Sequence, residues 1–286
     1  MTPSVHELTP GITVAVLGAG LLHAAWNALL KTARGGDPML DTASVVAGSA
    51  VCAALVLPLV PWPAPAAWTF IAASSLVHFA YYVALAQAYR TGDLSFAYPL
   101  MRGSAPLLVA VVGMALLHEL PGAHALAGIT LICGGVLSIA FVHRRRHSPA
   151  AAGWAFANAG VIACYTLVDA SGARASGDAV AYATWLMVVE GLPFLGWILW
   201  RRGSAAAAYL RRGWRRGLLG GAGSFAAYAI ALYAMARAPV AAVAALRETS
   251  VLFAALIGAL WLREGFGAVR IAGAASVVLG IAALRL

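Results

Sequence analysis

Two arginines, a few carboxylates and a set of histidines and tyrosines are the side chains here that could do chemistry, and nearly all stand inside apolar runs. Arg102 and Arg247 lie roughly 10 and 12 Å into their helices at about 1.5 Å per residue. A charge at that depth in hydrocarbon costs about 2.5–3.5 kcal/mol on insertion scales, so each must face a bundle interior or a wet cavity and have a partner. Such an arginine can grip a ligand's anionic group, form a gating ion pair or complete a structural one; the sequence leaves all three open. Glu248 follows Arg247 directly, yet consecutive helical residues point about 100° apart and need not pair. His78, Tyr81 and Tyr82, spaced i, i+3, i+4, share one helix face, and Tyr98 stands one turn before Arg102. Aromatic walls with a few hydrogen-bonding tips suit a small-molecule pocket, although aromatics also form belts at membrane interfaces. His23, Asn27 and Lys31 make an i, i+4, i+8 polar stripe beside Trp26; against lipid this would be expensive, so it is expected to face inward, with Lys31 near enough to the helix end to snorkel. Tyr165 and Asp169 are again i, i+4, and Glu190 sits in mid-helix. These two carboxylates are candidate proton carriers, pairing with Arg102 or Arg247 being the alternative. No HExxH, GxSxG or Walker loop is present.

The elements that must position these residues are membrane helices. Of 286 residues, 62% are hydrophobic and 10% charged, against about a quarter charged in soluble domains, which makes this an integral membrane protein. A span needs about 20 apolar residues, and the chain divides into ten: 11–30, 39–60, 68–89, 95–117, 122–142, 150–170, 179–200, 217–236, 239–262 and 267–285. The first has no preceding Lys or Arg, as a secretory signal would, and is expected to be retained. Pro99 and Pro106 share a face of the fourth helix and predict a bend or break there. The net charge of +9 belongs to loops rather than to a nucleic-acid face. Connections after helices 1, 3, 5, 7 and 9 hold 13 Lys and Arg (31, 34, 90, 144–146, 201, 202, 211, 212, 215, 216 and 263), while the termini and the other connections hold three, Arg174, Arg237 and Arg285. The positive-inside rule puts the former in the cytoplasm and both termini in the periplasm. The longest connection, RRGSAAAAYLRRGWRRG, reads as a solvated topology anchor or as a segment lying on anionic headgroups with Trp214 at the interface. Cys52, Cys133 and Cys164 lack paired spacing, read as small core residues, and suggest neither a disulfide framework nor a metal site.

The chain is also written twice. Ser95–Phe141 runs without a gap against Val240–Leu286, placing Arg102 on Arg247, Ser104 on Thr249, Gly113 on Gly258, Glu119 on Glu264, Gly128 on Gly273 and Gly135 on Gly280. Five helices per copy is an odd number, so the second copy, 149–286, must be inverted relative to the first, 1–148. Helices 1 and 6 match only loosely, GLLHAAWNALLK against GVIACYTLVDASG.

AYRTGDLSFAYPLMRGSAPLL, ALRETSVLFAALIGALWLRE, LLHAAWNALLK and IACYTLVDASGAR together resemble the drug/metabolite transporter superfamily, and within it the EamA-type ten-helix exporters. The resemblance implies a cavity between helices 1, 3, 4, 6, 8 and 9, bringing His23, Trp26, His78, Tyr82, Arg102, Tyr165 and Arg247 into it. Relatives that export aromatic and neutral amino acids have aromatic-rich cavities, to which His78, Tyr81, Tyr82 and Tyr165 correspond. The mid-helix 1 glutamate of the small four-helix multidrug relatives is absent; Trp26 and Asn27 occupy that region. The expectation is an all-α protein of ten transmembrane helices in two inverted repeats, an inner-membrane exporter of an amino-acid-like metabolite working by alternating access. The alternatives are a carrier of lipid-linked or anionic metabolites and, of another class, a membrane-embedded enzyme. Small-molecule substrate and membrane lipids are the expected partners, with no nucleic acid, cofactor or metal, and one copy of a two-repeat chain suffices.

Overall fold

The computed structural model describes residues 8–31, 37–92, 94–143, 148–260 and 267–286. Arg34, Arg144, Arg145, Arg146, Arg263 and Glu264 lie outside the described residues, and so does the Lys31 side chain. The described chain is helical: α1 (Pro10–Lys31), α2 (Pro38–Val56) ending in a single 3-10 turn, α3 (Ala67–Thr91), α4 (Leu94–Leu116), α5 (Ala123–His143), α6 (Pro149–Ala175), α7 (Ala179–Arg212), α8 (Trp214–Met235), α9 (Val240–Arg247), α10 (Thr249–Leu260) and α11 (Ala268–Ala283). Among the described residues nine stretches are long and apolar enough to cross a membrane, with α9 and α10 counted together, and α11 is a shorter apolar helix.

Local chemistry sets the helix starts. Asp37 and Ser148 accept backbone N–H bonds as N-caps with proline at the next position, and Asp178 caps α7 through Val180 and Ala181. Gly177, at φ +80°, takes the left-handed conformation that reverses the chain between α6 and α7.

The inverted arrangement follows from which helices touch. α3 packs on α6 as α8 packs on α1; α4 packs on α6 as α9 and α10 pack on α1; α2 with α7 and α5 with α11 are pairs that map onto themselves. Glycines give the same answer at atomic scale. A Cβ on Gly135 would stand 2.6 Å from the Gly273 carbonyl oxygen, and one on Gly128 would stand 2.8 Å from that of Gly280. The sequence register equates Gly128 with Gly273 and Gly135 with Gly280, so the contacts cross between copies, as a twofold axis requires. A second close seam joins α2 to α8, where a Cβ on Gly221 would collide with the backbone of Gly48 and Ser49. Small residues let these backbones approach where lipid supplies no hydrophobic drive.

Three expectations need correction. α4 runs unbroken through Pro99 and Pro106, packed between α5 and α6; the break falls instead in the copy without internal proline, between α9 and α10. There the Glu248 N–H bonds to the Ala245 carbonyl at 2.9 Å and the Val251 N–H to the Glu248 carbonyl at 3.0 Å, a 3-10 tightening that re-aims the flanking side chains. The arginine-rich connection is not a loop: α7 kinks at Gly203 (φ +53°, ψ −136°) and continues as helix to Arg212. That extension buries Ala206 against Leu40, Ala43 and Ile198 while Arg201, Arg202, Arg211 and Arg212 stay exposed. Finally, only Cys133 is a buried cysteine; Cys52 is half-buried and Cys164 is exposed on the outside of the bundle.

Candidate binding cavity

A cavity of about 240 Å³ lies between α1, α2, α3, α4, α6, α7, α8 and α9. His23, Trp26, Asn27, His78, Tyr81, Tyr82, Tyr98, Arg102, Tyr165 and Arg247 all line it, as does Glu190. Asp169 and Glu248 stand behind its wall, both buried. Helices 2 and 7 contribute as well, through Asp41, Val46 and Ser49 and through Met187 and Glu190, none but Glu190 singled out by sequence. On α1, α2, α3 and α4 the lining residues run towards the ends that lead to the α1–α2 and α3–α4 connections, while Tyr165, Glu190 and Ser224 lie near mid-helix, so the mouth is at the end of those connections, beside Asp41 and Tyr89.

Aromatic rings form one wall. The His78 ring stacks on Tyr165 with centroids 4.3 Å apart, and Tyr81 and Tyr228 meet these rings edge-on. Tyr82 packs outward as well, 4.4 Å from Phe194. On α1, His23 meets Trp26 edge-on at 5.1 Å, and the Asn27 amide donates to the His23 carbonyl at 2.7 Å. The Trp26 indole N–H is buried without a hydrogen-bond acceptor among the described residues.

Three charged assemblies sit around these rings, and among the described residues neither Asp169 nor Glu190 pairs with an arginine. Arg102 Nε lies 2.9 Å from Glu248 Oε2, an ion pair across the two repeats. The approach is off the N–H direction, so charge attraction rather than an aligned hydrogen bond holds it. Glu190 Oε2 lies 3.2 Å from His78 Nδ1, which also faces the Ser74 hydroxyl and carbonyl at 3.0 Å. The Glu190 carboxylate and the Ser74 carbonyl both face Nδ1, an arrangement that suits a proton on that nitrogen. Asp169 accepts from the hydroxyls of Tyr182, at 2.9 Å, and Tyr228. Tyr228 thus ties a buried carboxylate to the cavity surface, where the Arg247 guanidinium lies 5.2 Å from its ring centroid. Its sequence signal was a tyrosine inside an alanine-rich span, too ordinary to stand out.

At the opposite end the two repeats are clasped. Glu119 Oε1 lies 2.5 Å from Arg174 Nη2, and its Oε2 accepts the Val240 N–H at 2.7 Å at the start of α9. Arg174 also donates to the carbonyls of Met235 at 3.1 Å and Ala238 at 3.3 Å. The Ala64 N–H bonds to the Ser176 carbonyl nearby. Trp62, Trp68 and Trp185 gather at this same end, their ring centroids 4.4–6.1 Å apart.

Among the described residues, nine spanning helices and a shorter apolar one, in two inverted copies around a cavity of aromatic and polar side chains, define a multi-pass membrane protein of the transporter type. The EamA-like transporter family model matches the chain twice, over residues 10–141 and 150–286, and the chain belongs to that family, within the drug/metabolite transporter superfamily. A crystal structure of another protein superposes with a TM-score of 0.72 at 17% identity, covering 96% of this chain and 98% of that one, a likeness of fold alone. No curated protein matches the chain.

Proposed function

We propose that the protein carries a small amphipathic, amino-acid-like metabolite out across the inner membrane by alternating access, with both termini in the periplasm. The observation that carries this reading is a cavity that combines stacked aromatic rings with one arginine, Arg247, lacking a carboxylate partner among the described residues. A ligand with an apolar body and an anionic group satisfies both. Supporting the direction, the mouth opens towards the connections rich in Lys and Arg, the cytoplasmic side by the positive-inside rule. The closed end is held by bonds between the two repeats, the kind of contact a rocking motion must make and break. The substrate crosses chemically unchanged.

The test is a stabilisation screen followed by flux. A ligand that binds only the folded protein adds about 2.7 kcal/mol of stability at one hundred times its Kd. Amino acids with apolar side chains are expected to raise the melting temperature and to move into sealed liposomes without modification. Stabilisation only by polyanions or lipid-linked compounds would replace the amino-acid reading, and chemical conversion of the ligand would replace transport with catalysis.

A further inference from the structure

Resting on the reading of the cavity as a substrate site, we infer that Glu248 sets the charge of ligand that the cavity accepts. By neutralising Arg102 it leaves Arg247 as the cation available to a ligand, so that a compound with one carboxylate fits and a dicarboxylate does not.

The duplication supplies the argument. Arg102 and Arg247 occupy the same position in the two copies, but the next position is Gly103 in the first and Glu248 in the second. Glu248 reaches across to Arg102, and both are buried, with 4% and 8% of their surfaces exposed. The mirror contact to Arg247 is impossible, because the first copy has no carboxylate there and no room for one. A Cβ on Gly103 would stand 2.7 Å from Leu137 Cγ and 3.2 Å from the Cys133 carbonyl oxygen. Two arginines equal in sequence are therefore unequal in pairing: Arg102 has the carboxylate in direct contact, and Arg247 feels it only at longer range. Arg247 is half-buried on the cavity wall, its guanidinium over the Tyr228 ring at 5.2 Å from the centroid.

The other charged groups at the cavity do not alter this balance. Glu190 is set against His78, and Asp41, near the mouth, accepts the Tyr209 hydroxyl at 2.6 Å. Asp169 is enclosed by Tyr182 and Tyr228. A second carboxylate on the ligand would meet Glu190 or the neutralised pair. Removing the Glu248 charge would instead expose a second guanidinium and make the site fit for two carboxylates.

Three probes with the same benzyl body separate the possibilities: phenylalanine as a zwitterion, 3-phenylpropionate as a monoanion and benzylmalonate as a dianion. Their binding to the purified full-length protein is measured by calorimetry. Wild type is expected to bind benzylmalonate at least tenfold more weakly than 3-phenylpropionate. Glu248→Gln is expected to gain tenfold or more for benzylmalonate and to abolish or reverse that order. The double variant Arg102→Gln with Glu248→Gln, in which the pair is again neutral, is expected to keep the wild-type order, and Arg247→Gln to lose binding of both anions. An unchanged order in Glu248→Gln overturns the inference, as does a double variant that loses anion binding as Arg247→Gln does. The latter comparison decides the matter even where Glu248→Gln, with Arg102 left unpaired, fails to fold. Should wild type bind none of the probes, the amino-acid-like substrate is refuted. The role of Glu248 is then still decided by whether its loss creates benzylmalonate binding.

Discussion

Replacing Glu119 by glutamine is expected to open the clasped end of the transporter. Glu119 holds Arg174 at 2.5 Å and the Val240 N–H at 2.7 Å, and so joins the α4–α5 connection of one repeat to α6 and α9 of the other. Breaking a buried ion pair by removing one partner costs about 3–5 kcal/mol. Here Arg174 keeps its two carbonyl acceptors and is partly exposed, and a glutamine oxygen can still receive the Val240 N–H, so about 1.5–3 kcal/mol is the better figure. If the clasp exists only in the state described here, that cost falls on this state alone and shifts the population towards the opposite-facing one by about 10- to 150-fold. The assay is labelling of Ser224→Cys, a cavity position, in a background with Cys52, Cys133 and Cys164 replaced. An impermeant thiol reagent is applied from the clasped side. Glu119→Gln is expected to raise that labelling rate at least tenfold while lowering it from the mouth side. A lowered melting temperature with unchanged labelling would show that the clasp supports the fold in every state, and the gating argument would be wrong.

Other consequences follow from the packing and the buried acids. Gly221→Ala drives a methyl group into the Gly48–Ser49 backbone, which cannot yield as a side chain would, and is expected to cost about 3 kcal/mol; a near-normal melting temperature would mean that the α2–α8 seam is looser than described. Tyr228→Phe removes one of the two tyrosine donors to buried Asp169 and is expected to cost about 1.5–3 kcal/mol, whereas the same change combined with Asp169→Asn costs less than the sum of the two alone. Additive losses would show that the two side chains act independently. A tag at either terminus is expected to react with an impermeant reagent on the periplasmic side, and a cysteine at Ala205, in the helix beyond the Gly203 kink, on the cytoplasmic side; the reverse pattern would exchange the two faces of the transporter.

Much of this architecture is written in single residues. The repeat register paired Gly128 with Gly273 and Gly135 with Gly280, and the crossed contacts of those glycines are what an inverted duplication produces. The cavity wall was legible because polar and aromatic side chains at helical spacing are costly against lipid, so the cost of exposure points them inward. What was not legible depends on distances between helices far apart in sequence. Nothing local told Glu248 to choose Arg102, 146 positions away, over its neighbour Arg247, or set Glu190 beside His78. The break at Glu248 is hidden because no proline marks it, while α4 continues as one helix through both of its prolines. The helix beyond Gly203 looks like a loop in sequence because its arginines outweigh its alanines; the inward face, Ala206 and Tyr209, appears only once α2 lies above it.

The cavity beneath Arg247 is the proposed place from which substrate crosses the membrane. Counterflow in sealed liposomes loaded with an unlabelled ligand of the wild-type protein tests it most directly, because exchange requires the same site to face both sides in turn. Wild type is expected to accumulate labelled ligand transiently. Arg247→Gln, folded to a normal melting temperature, is expected to lose at least nine-tenths of that signal, and Arg247→Lys to fall between the two, since an ammonium keeps the charge but not the planar two-pronged grip on a carboxylate. Full counterflow by Arg247→Gln at normal stability would contradict the account.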